Sequence, residues 1–429
     1  MDQQNCQGDD TASPWKRQGG PIAADLNRSQ HAVSKSRAFH RFQYRRKNGE
    51  SPVKGLRGKV MAIPQEGSAM TAQLDMNEVG AFAEQVAGTI IGGATTAMMV
   101  LGDQLGLYAA LARSGAVTSA ALSEATGTSE RYVREWLAQQ AAVGVVEYDA
   151  AAATFLLSPV HAAVLATDDS PASMIGAAGL VTGMHRVVDR LAALFRSGQG
   201  LPWGDQDPVI FESTERFFRV GYRNSLISEW VPAVEGLAQQ LEGGASVADV
   251  GCGHGAALIL MAQAYPNSRF VGFDAHAPSV HVARQRAMEA GVSDRVTFEV
   301  EHCHGYPADG YDLITFFDSL HDLGDPVGAA QHAWNALGKA GRLMLVEPLA
   351  ADDLATTIAT IPTAALNYAA STFLCTPNSL SQPVGLALGA QAGESRLRDV
   401  LHEAGFAHIR KVAQTPFNMV LEAAPRTSP

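Results

Sequence analysis

The sequence predicts an α-rich winged-helix domain followed by an α/β domain built on a mainly parallel sheet. The first prediction rests on residues 105–157, where three short helical segments precede two strands, the order found in winged helix-turn-helix domains. The second rests on residues 241–429, where apolar strands alternate with helical segments. A glycine-rich loop after the first of these strands indicates a ligand site at the carboxyl ends of the strands.

The composition indicates a folded protein of two or three domains. A chain of 429 residues is too long for one ordinary domain, and its 46% of hydrophobic residues supplies a large core. The net charge of −11 argues against nucleic acid as the main partner, because phosphate contacts need a basic surface. The four cysteines lie far apart in the sequence, which argues against a disulfide framework and favours a cytoplasmic location.

Residues 1–69 differ from the rest of the chain. They carry twelve Lys or Arg against six Asp or Glu and show no hydrophobic periodicity. No apolar run follows the N-terminal charges, so the segment is not typical of a secretory signal. We expect a disordered basic extension upstream of a true start at Met70 or Met76; a basic arm for RNA or a membrane is the alternative.

The first folded domain is expected to span residues 76–168, and it opens with an uncharged run, Gln85–Gly102. This run contains a G-x-x-x-G motif, in which small residues allow close helix packing. Its 18 residues are at the lower limit for crossing a membrane and are diluted by Gly and Thr. We therefore expect a buried helix that packs on a partner and forms a homodimer, with no membrane span.

The winged-helix prediction follows from the next helical segments in order. An apolar face around Leu107 and Leu111 ends near Gly115, and a second helix runs to Thr126. A third helix, Ser129–Val143, precedes two strands, Val145–Tyr148 and Thr154–Leu157. In the third helix two glutamates balance two arginines, whereas a helix that enters the major groove presents a basic face. We expect packing or dimerisation from this domain, and then a helical connector over residues 169–240.

The segment Ser246–Gly255 (SVADVGCGHG) is the most informative part of the sequence. Three glycines lie between a short apolar strand and the helix Ala256–Ala264, so a ligand can approach the free N–H groups at the helix N-terminus. The second strand ends at Asp274, where a carboxylate is placed to accept both ribose hydroxyls of a nucleoside. The spacing is G-x-G-x-G, not the G-x-G-x-x-G of dinucleotide enzymes, and Asp249 suits a cationic ligand better than a pyrophosphate.

With its acidic residue two positions before the first glycine, this loop resembles the first motif of the class I S-adenosylmethionine (SAM) methyltransferases, and the resemblance covers roughly Leu241–Glu422. It implies a Rossmann-like domain with a mainly parallel seven-stranded sheet and SAM as the cofactor. The cofactor-binding residues that it implies are Asp249, Gly251, Cys252, Gly253, Gly255, Asp274, His302, Cys303, Phe317 and Asp318.

Within this set, His302 stands where related sequences commonly have an Asp that contacts the adenine amino group. The neighbouring run His302-Cys303-His304 is too compact to span a coordination sphere, so no metal site is predicted.

The order of the domains, the Leu-His-Asp loop at residues 320–322 and the Val-Glu strand end at residues 346–347 resemble the small-molecule O-methyltransferases. This resemblance implies that His321 is the general base and that Glu347 orients it; a structural loop histidine is the alternative. The segments GTSERYVREWL and FDSLHDLGDPVGAAQHA also resemble actinobacterial two-domain methyltransferases, a likeness that covers Met76–Pro425.

The function that these resemblances imply is methyl transfer from SAM to a small, apolar or aromatic acceptor, with O-methylation favoured. The residues Ala364–Gly389, with Trp203 and Tyr222, are candidates to cap the acceptor pocket. Two alternatives are a nicotinamide-dependent oxidoreductase, which the glycine spacing disfavours, and a SAM-sensing regulator that binds DNA through its winged helices.

Overall fold

The computed structural model describes residues 62–63 and 72–424 of the chain. The predicted basic extension, residues 1–69, lies outside the described residues except for strand β1 (Ala62–Ile63). This strand pairs antiparallel with β2 (Ala72–Gln73).

Helix α1 (Met76–Gln104) begins at Asp75, whose carboxylate accepts the N–H of Asn77 at 2.8 Å. Large hydrophobic side chains along it are exposed, among them Phe82 at 64% and Ile90 at 67%. Within the described residues this helix is long and apolar enough to cross a membrane, yet only 11% of its most apolar window is buried inside the chain. The expected apolar helix is therefore present, and within this chain its surface is largely uncovered.

The winged-helix prediction is confirmed. Helices α2 (Leu107–Ser114), α3 (Ser119–Thr126) and α4 (Glu130–Ala142) precede the antiparallel pair β3 (Glu147–Asp149) and β4 (Thr154–Leu156). Their core contains the Tyr108 and Trp136 rings in edge-to-face contact, and the Tyr108 hydroxyl donates to Gln140 Oε1 at 2.6 Å.

The third helix of this domain is electrically balanced on its exposed face. Arg131 pairs with Glu135 and Arg134 pairs with Glu130, each at 2.5 Å. These four side chains neutralise one another, so α4 lacks the basic surface that attracts DNA phosphates. This geometry speaks against the DNA-binding regulator.

Helices connect the two domains. They are α5 (Pro159–Leu165), α6 (Ile175–Arg186), α7 (Val188–Ser197), α8 (Pro208–Gly221), the short α9 (Val231–Ala233) and α10 (Leu237–Gly243). A π-helical segment, Tyr222–Trp230, continues α8 into α9. Helix α6 packs very closely on α8, because a Cβ atom at Gly176 would lie 2.6 Å from the backbone nitrogen of Phe217.

The α/β domain contains the predicted seven-stranded sheet, in the order β10-β11-β9-β8-β5-β6-β7. Its strands are β5 (Ser246–Val250), β6 (Arg269–Asp274), β7 (Val296–Val300), β8 (Tyr311–Phe317), β9 (Leu337–Pro348), β10 (His408–Gln414) and β11 (Asn418–Ala424). Strands β5 to β9 are parallel, whereas β11 is antiparallel to both β9 and β10. The apolar run Gly341–Glu347 predicts the fifth strand of the sheet. In the structure this strand, β9, begins four residues earlier, because Leu337 pairs with Tyr311 ahead of a register shift.

Helices cover both faces of this sheet. Helices α11 (Ala256–Ala264) and α12 (Ala277–Glu289) pack in one buried cluster, together with the π-helical segment. Helix α13 (Pro326–Ala336) and the last helix, α17 (Gly393–Glu403), pack in the other. In the chain, the segment from α13 to α17 also contains α14 (Leu354–Thr360), α15 (Ala364–Ala370), a π-helical turn at Ser371–Cys375 and α16 (Thr376–Leu380). The strands' carboxyl ends are thus left as the edge where a ligand can enter.

We predict that Gly176→Ala destabilises the protein by about 1–3 kcal/mol, because the new methyl group must force the backbones of α6 and α8 apart. The matched control is Gly80→Ala in α1, where a Cβ atom would meet nothing within 4 Å. This control should raise stability by about 0.5–1 kcal/mol through its better helix propensity. Urea unfolding of both variants checks the prediction, and equal midpoints would contradict it.

Candidate active site

A cavity of about 480 Å³ lies at the carboxyl ends of the parallel strands. Its wall is formed by the glycine loop after β5, the ends of β6 and β8, the residues after β7 and part of helix α8. This volume is in the range of sites for cofactors and small molecules. Nine of the predicted cofactor-binding residues line it: Asp249, Gly251, Cys252, Gly253, Asp274, His302, Cys303, Phe317 and Asp318.

The tenth, Gly255, does not line the cavity but allows the loop to pack. Its φ is 78°, and a Cβ atom there would lie 2.5 Å from the Phe298 ring. Gly251 also has a φ of 78°, and a Cβ atom there would lie 2.6 Å from Cβ of Ser319. Helix α11 then begins without a side-chain cap, so the helix N-terminus next to Gly253 and His254 keeps its partial positive charge.

Asp274 is held at the tip of β6 by two backbone N–H groups. Its Oδ2 accepts from Gly253 at 2.9 Å and its Oδ1 accepts from His276 at 2.8 Å. Burial raises the pKa of Asp274, and these two hydrogen bonds oppose the rise. The carboxylate is therefore fixed across the glycine loop, in the place predicted for a group that binds ribose hydroxyls.

Two further carboxylates form the floor of the cavity. Asp249 accepts from the Thr315 hydroxyl at 2.9 Å, and burial raises its pKa to about 7. Asp318 accepts from the Tyr222 hydroxyl at 2.9 Å and from Asn418 Nδ2 at 2.7 Å. Burial, followed by repulsion from Glu347, raises the pKa of Asp318 to about 8. A cationic ligand offsets both penalties, so the floor is complementary to the sulfonium and ammonium groups of SAM.

The residues after β7 define the end of the cavity expected to hold the adenine. His302 lines the cavity but is exposed, and it provides no carboxylate. A carboxylate is present one position earlier, at Glu301, which also lines the cavity and accepts the N–H of His302 at 2.8 Å. A carboxylate therefore lines this end of the cavity one position before His302.

The structure brings His321 and Glu347 into direct contact, as the resemblance implies. Glu347 Oε2 accepts from Nδ1 of His321 in a very short hydrogen bond, and Oε1 of Glu347 accepts the backbone N–H of His321 at 3.3 Å. Both side chains are buried, and neither is part of the cavity wall. Burial alone lowers the pKa of His321, but the carboxylates of Glu347 and Asp322 outweigh it, and the pKa lies well above its ordinary value.

Asp322 connects this pair to the cavity. It lines the cavity wall, and its Oδ1 lies 3.4 Å from Nε2 of His321. The loop is held in place by the segment after Cys375: Asn378 Nδ2 donates to the carbonyl of Asp322 at 3.0 Å, and Gln382 Oε1 accepts the N–H of Gly324 at 3.0 Å. Asn378 and Gln382 line the cavity, as predicted for the capping segment Ala364–Gly389.

Sequence reasoning missed several residues of the wall. Glu215 on helix α8 and His276 after β6 belong to it, and no local pattern marks either one. His254, inside the glycine loop, is 8% exposed, and its Nδ1 makes no hydrogen bond within the described chain. Burial, and then the charge of Arg286, lowers the pKa of His254 to about 4, so a neutral imidazole faces the ligand. Position in the glycine motif was the one available signal for this histidine.

Comparisons with known proteins agree with this architecture. Residues 93–167 match the family model described as a Rv2258c-like winged HTH domain, and residues 241–405 match that of a methyltransferase domain. A search of curated protein sequences gave no match.

Several solved structures are similar to this chain over nearly their whole length. The mitomycin 7-O-methyltransferase is 22% identical over 81% of this chain and 99% of its own, with a TM-score of 0.57. An O-methyltransferase family protein from Burkholderia thailandensis is 16% identical over 83% and 100%, with a TM-score of 0.58. Human N-acetylserotonin methyltransferase, solved with SAM, is 17% identical over 83% and 99%, with a TM-score of 0.56. At these identities the likeness establishes a shared fold.

We predict that Asp274→Ala weakens SAM binding by about 10²- to 10⁴-fold, since its two charge-assisted hydrogen bonds to the ribose hydroxyls contribute about 1.5–3 kcal/mol each. His321→Ala should change the affinity little, because His321 does not line the cavity. Calorimetric titration of both variants with SAM measures the difference. Equal losses of affinity would show that Asp274 has no special role.

Sheet order, cavity chemistry and domain matches lead to one conclusion. The strand order places the glycine loop and the Asp274 carboxylate at one edge, and no lysine or arginine of the described chain lines the cavity that they form. The two family models match the two domains seen in the structure. The chain is a two-domain methyltransferase, in which a winged helix-turn-helix domain precedes a class I, SAM-dependent methyltransferase domain.

Proposed function

We propose that this enzyme transfers the methyl group of SAM to a hydroxyl of a small aromatic or apolar acceptor that carries no negative charge. The observation that carries the proposal is the buried His321–Glu347 pair, which lies behind Asp322 at the edge of the cofactor cavity. SAM supplies an electrophilic methyl group on a sulfonium, so the protein needs mainly to align the acceptor and to remove its proton.

The chain offers a separate group for each part of SAM. Asp274 receives the ribose hydroxyls, and Asp249 and Asp318 face the positively charged end. We assign the carboxylate of SAM to the N-terminus of α11 and the neutral His254 ring. These groups take that role because no lysine or arginine of the described chain lines the cavity.

Removal of the acceptor proton falls to His321. Asp322 lines the cavity and its Oδ1 lies 3.4 Å from Nε2 of His321, so an acceptor hydroxyl bound against Asp322 lies next to the base. Glu347 stabilises the imidazolium that forms when the proton arrives at Nε2. Positioning is worth about 7–11 kcal/mol and a general base about 3–5 kcal/mol, so alignment remains the larger contribution.

The wall near Asp322 supports an aromatic, uncharged acceptor. Trp203 and Phe211 line the cavity with their rings in edge-to-face contact, 5.6 Å between centroids. The backbone N–H of Trp203 donates to Asn378 Oδ1 at 3.0 Å, which ties this wall to the capping segment. Carboxylates without compensating cations repel an acidic acceptor, so a phenol fits this wall better than a carboxylic acid.

The neighbouring structures support O-methylation through their names. The mitomycin enzyme is named as a 7-O-methyltransferase, and the Burkholderia protein is named as a member of an O-methyltransferase family. The three cysteines within the described residues are all unpaired, which supports a cytoplasmic location for the enzyme.

A homodimer is part of the proposal. Helix α1 exposes Phe82, Val86, Ile90 and Ile91 on a helix that is rich in small residues. An apolar surface of this size on a monomer usually belongs to an interface. A second copy of the chain covers it in the same way on both partners, because two-fold dimers are the commonest oligomers.

We predict that the double substitution of Phe82 and Ile90 by Arg converts the dimer into a monomer, since two buried charges without partners destabilise an interface. Light scattering measures the mass. Met288→Arg is the control, because Met288 is 64% exposed on helix α12, away from α1. A wild-type monomer, or a dimer that survives the double substitution, would place the interface elsewhere or remove it.

We predict that the methylation rate rises with pH above about 6.5, because His321 must lose its proton to act as the base and its pKa is raised. His321→Ala should lower kcat by about 10²–10⁴ and remove this rise. Glu347→Gln should move the rise to lower pH, since the partner charge that raises the pKa is gone. A wild-type rate and pH profile in His321→Ala would show that His321 is a structural loop residue.

The methylation rate and its pH profile can be measured only with the acceptor, which metabolite profiling can identify. Cell extract incubated with the enzyme and SAM labelled in the methyl group should yield a labelled methyl ether of a small aromatic compound. A labelled methyl ester or N-methyl product would contradict the proposed acceptor chemistry. His321→Ala serves as the control for transfer that depends on this site.

A further inference from the structure

A cluster of three side chains, of which Asp322 lines the cavity and the other two lie behind it, forms a site that we propose binds a divalent metal ion of the zinc class. His321, Asp322 and Cys375 each offer one ligand atom, and these atoms lie within 4.8 Å of one another. No metal site is predicted from the sequence, where Cys375 stands more than 50 positions after His321; the fold brings these residues together.

The distances agree with a tetrahedral zinc site. Bonds of about 2.1 Å to nitrogen and oxygen at a tetrahedral angle separate the two atoms by about 3.4 Å. Nε2 of His321 and Oδ1 of Asp322 are 3.4 Å apart. This separation is too long for a normal N–H···O hydrogen bond, which places the two atoms 2.7–3.2 Å apart. The pair is spaced as two ligands would be.

The hydrogen bonding of the cluster leaves the inward atoms available. Oδ1 of Asp322 is buried and makes no hydrogen bond of normal geometry within the described chain. The Cys375 thiol is in hydrogen-bonding range of His321 and Asp322, and its contact with the carbonyl of Ala370 is a weak one of 3.9 Å. Nδ1 of His321 is bonded to Glu347, so Nε2 is the nitrogen that faces Asp322 and Cys375. A metal ion bound by these atoms satisfies all three at once.

Glu347 supplies the support that metal-binding histidines usually have. A carboxylate that accepts from the far nitrogen of a ligand histidine fixes the ring and raises its basicity. The Glu347–His321 bond has this arrangement, with Nε2 directed at Asp322. The carboxylate of Glu347 adds negative charge beside the cluster, which favours a bound cation.

The ligand set selects the metal. One thiolate, one imidazole and one carboxylate suit Zn²⁺, whereas Mg²⁺ and Ca²⁺ require oxygen ligands. Asp322 lines the cavity, so an ion enters from there and a water molecule takes the fourth position. Three protein ligands with one open position is the arrangement of zinc sites that remain accessible to small molecules.

Metal binding at this cluster has a consequence for catalysis, and this consequence alone rests on the proposed function. The ion occupies the lone pair of Nε2, which a general base needs in order to take the acceptor proton. Zinc and acceptor deprotonation are therefore mutually exclusive at His321. The enzyme is active when the cluster is free of metal and inhibited when zinc is bound.

The test uses Co²⁺ as a spectroscopic probe on the full-length, chelator-treated enzyme, with no acceptor present. We expect one Co²⁺ per chain, a cobalt–thiolate charge-transfer band in the near ultraviolet, and loss of that band when Zn²⁺ is added. Cys375→Ser should abolish the band. Asp322→Asn should weaken binding at least tenfold, and Glu347→Gln by about 10- to 100-fold.

Cys303→Ser is the matched control, because Cys303 lines the same cavity but lies outside the cluster. Its band and affinity should equal those of the wild type. Absence of a thiolate band, or a band that persists in Cys375→Ser and disappears in Cys303→Ser, would overturn the proposal. If Cys375→Ser does not fold, the Co²⁺ affinity of Asp322→Asn is the test, and an affinity equal to that of the wild type would overturn the proposal. Since binding is read without turnover, this result is independent of the acceptor proposal.

Discussion

The turn between β5 and α11 lies closer to its neighbours than any residue with a Cβ atom permits. At Gly251 the limit is Ser319 after β8, and at Gly255 it is the Phe298 ring on β7. Both glycines also have positive φ, so a larger residue would be strained as well as crowded. The backbone N–H of Gly253 reaches Asp274 only because the loop lies in this position. The cavity, the uncapped helix N-terminus and the fixed carboxylate all depend on this close approach.

The far end of the site depends on contacts between distant parts of the chain. The Leu201 N–H donates to the carbonyl of Pro377, and Asn378 bonds both to Trp203 and to the Asp322 carbonyl. Three segments from different regions therefore hold one another around the acceptor wall. A substitution in one of these three segments therefore also affects the positions of the other two, and all three together determine acceptor selectivity.

Much of this arrangement was accessible from sequence because its signals are local. The glycine loop, the acidic residue at the tip of β6 and the five parallel strands each follow from a short run of residues. The contact between His321 and Glu347 was accessible through the family resemblance, since each stands at the end of a strand. The antiparallel pair at the sheet edge was not assigned from its residues, and the start of β9 was misplaced by the register shift.

What sequence did not provide depends on contacts between residues far apart in the chain. Cys375 lies close to Asp322 behind the cavity wall, and Glu215 reaches this wall from a helix of the connector. The environment of α1 was also out of reach, because its apolar surface is not covered by the described part of its own chain. Patterns within one segment report burial, but they do not report which distant element or which molecule provides it.

The ionisation of the two carboxyls on the cavity floor depends on the charge of the bound cofactor. Asp249 and Asp318 are costly to keep ionised in the buried site, and a sulfonium relieves that cost. Once the methyl group has left, the sulfur is a neutral thioether and these carboxylates lose a cationic partner. Methyl transfer therefore removes a stabilising charge from the cavity floor, and both carboxyls then favour their protonated form.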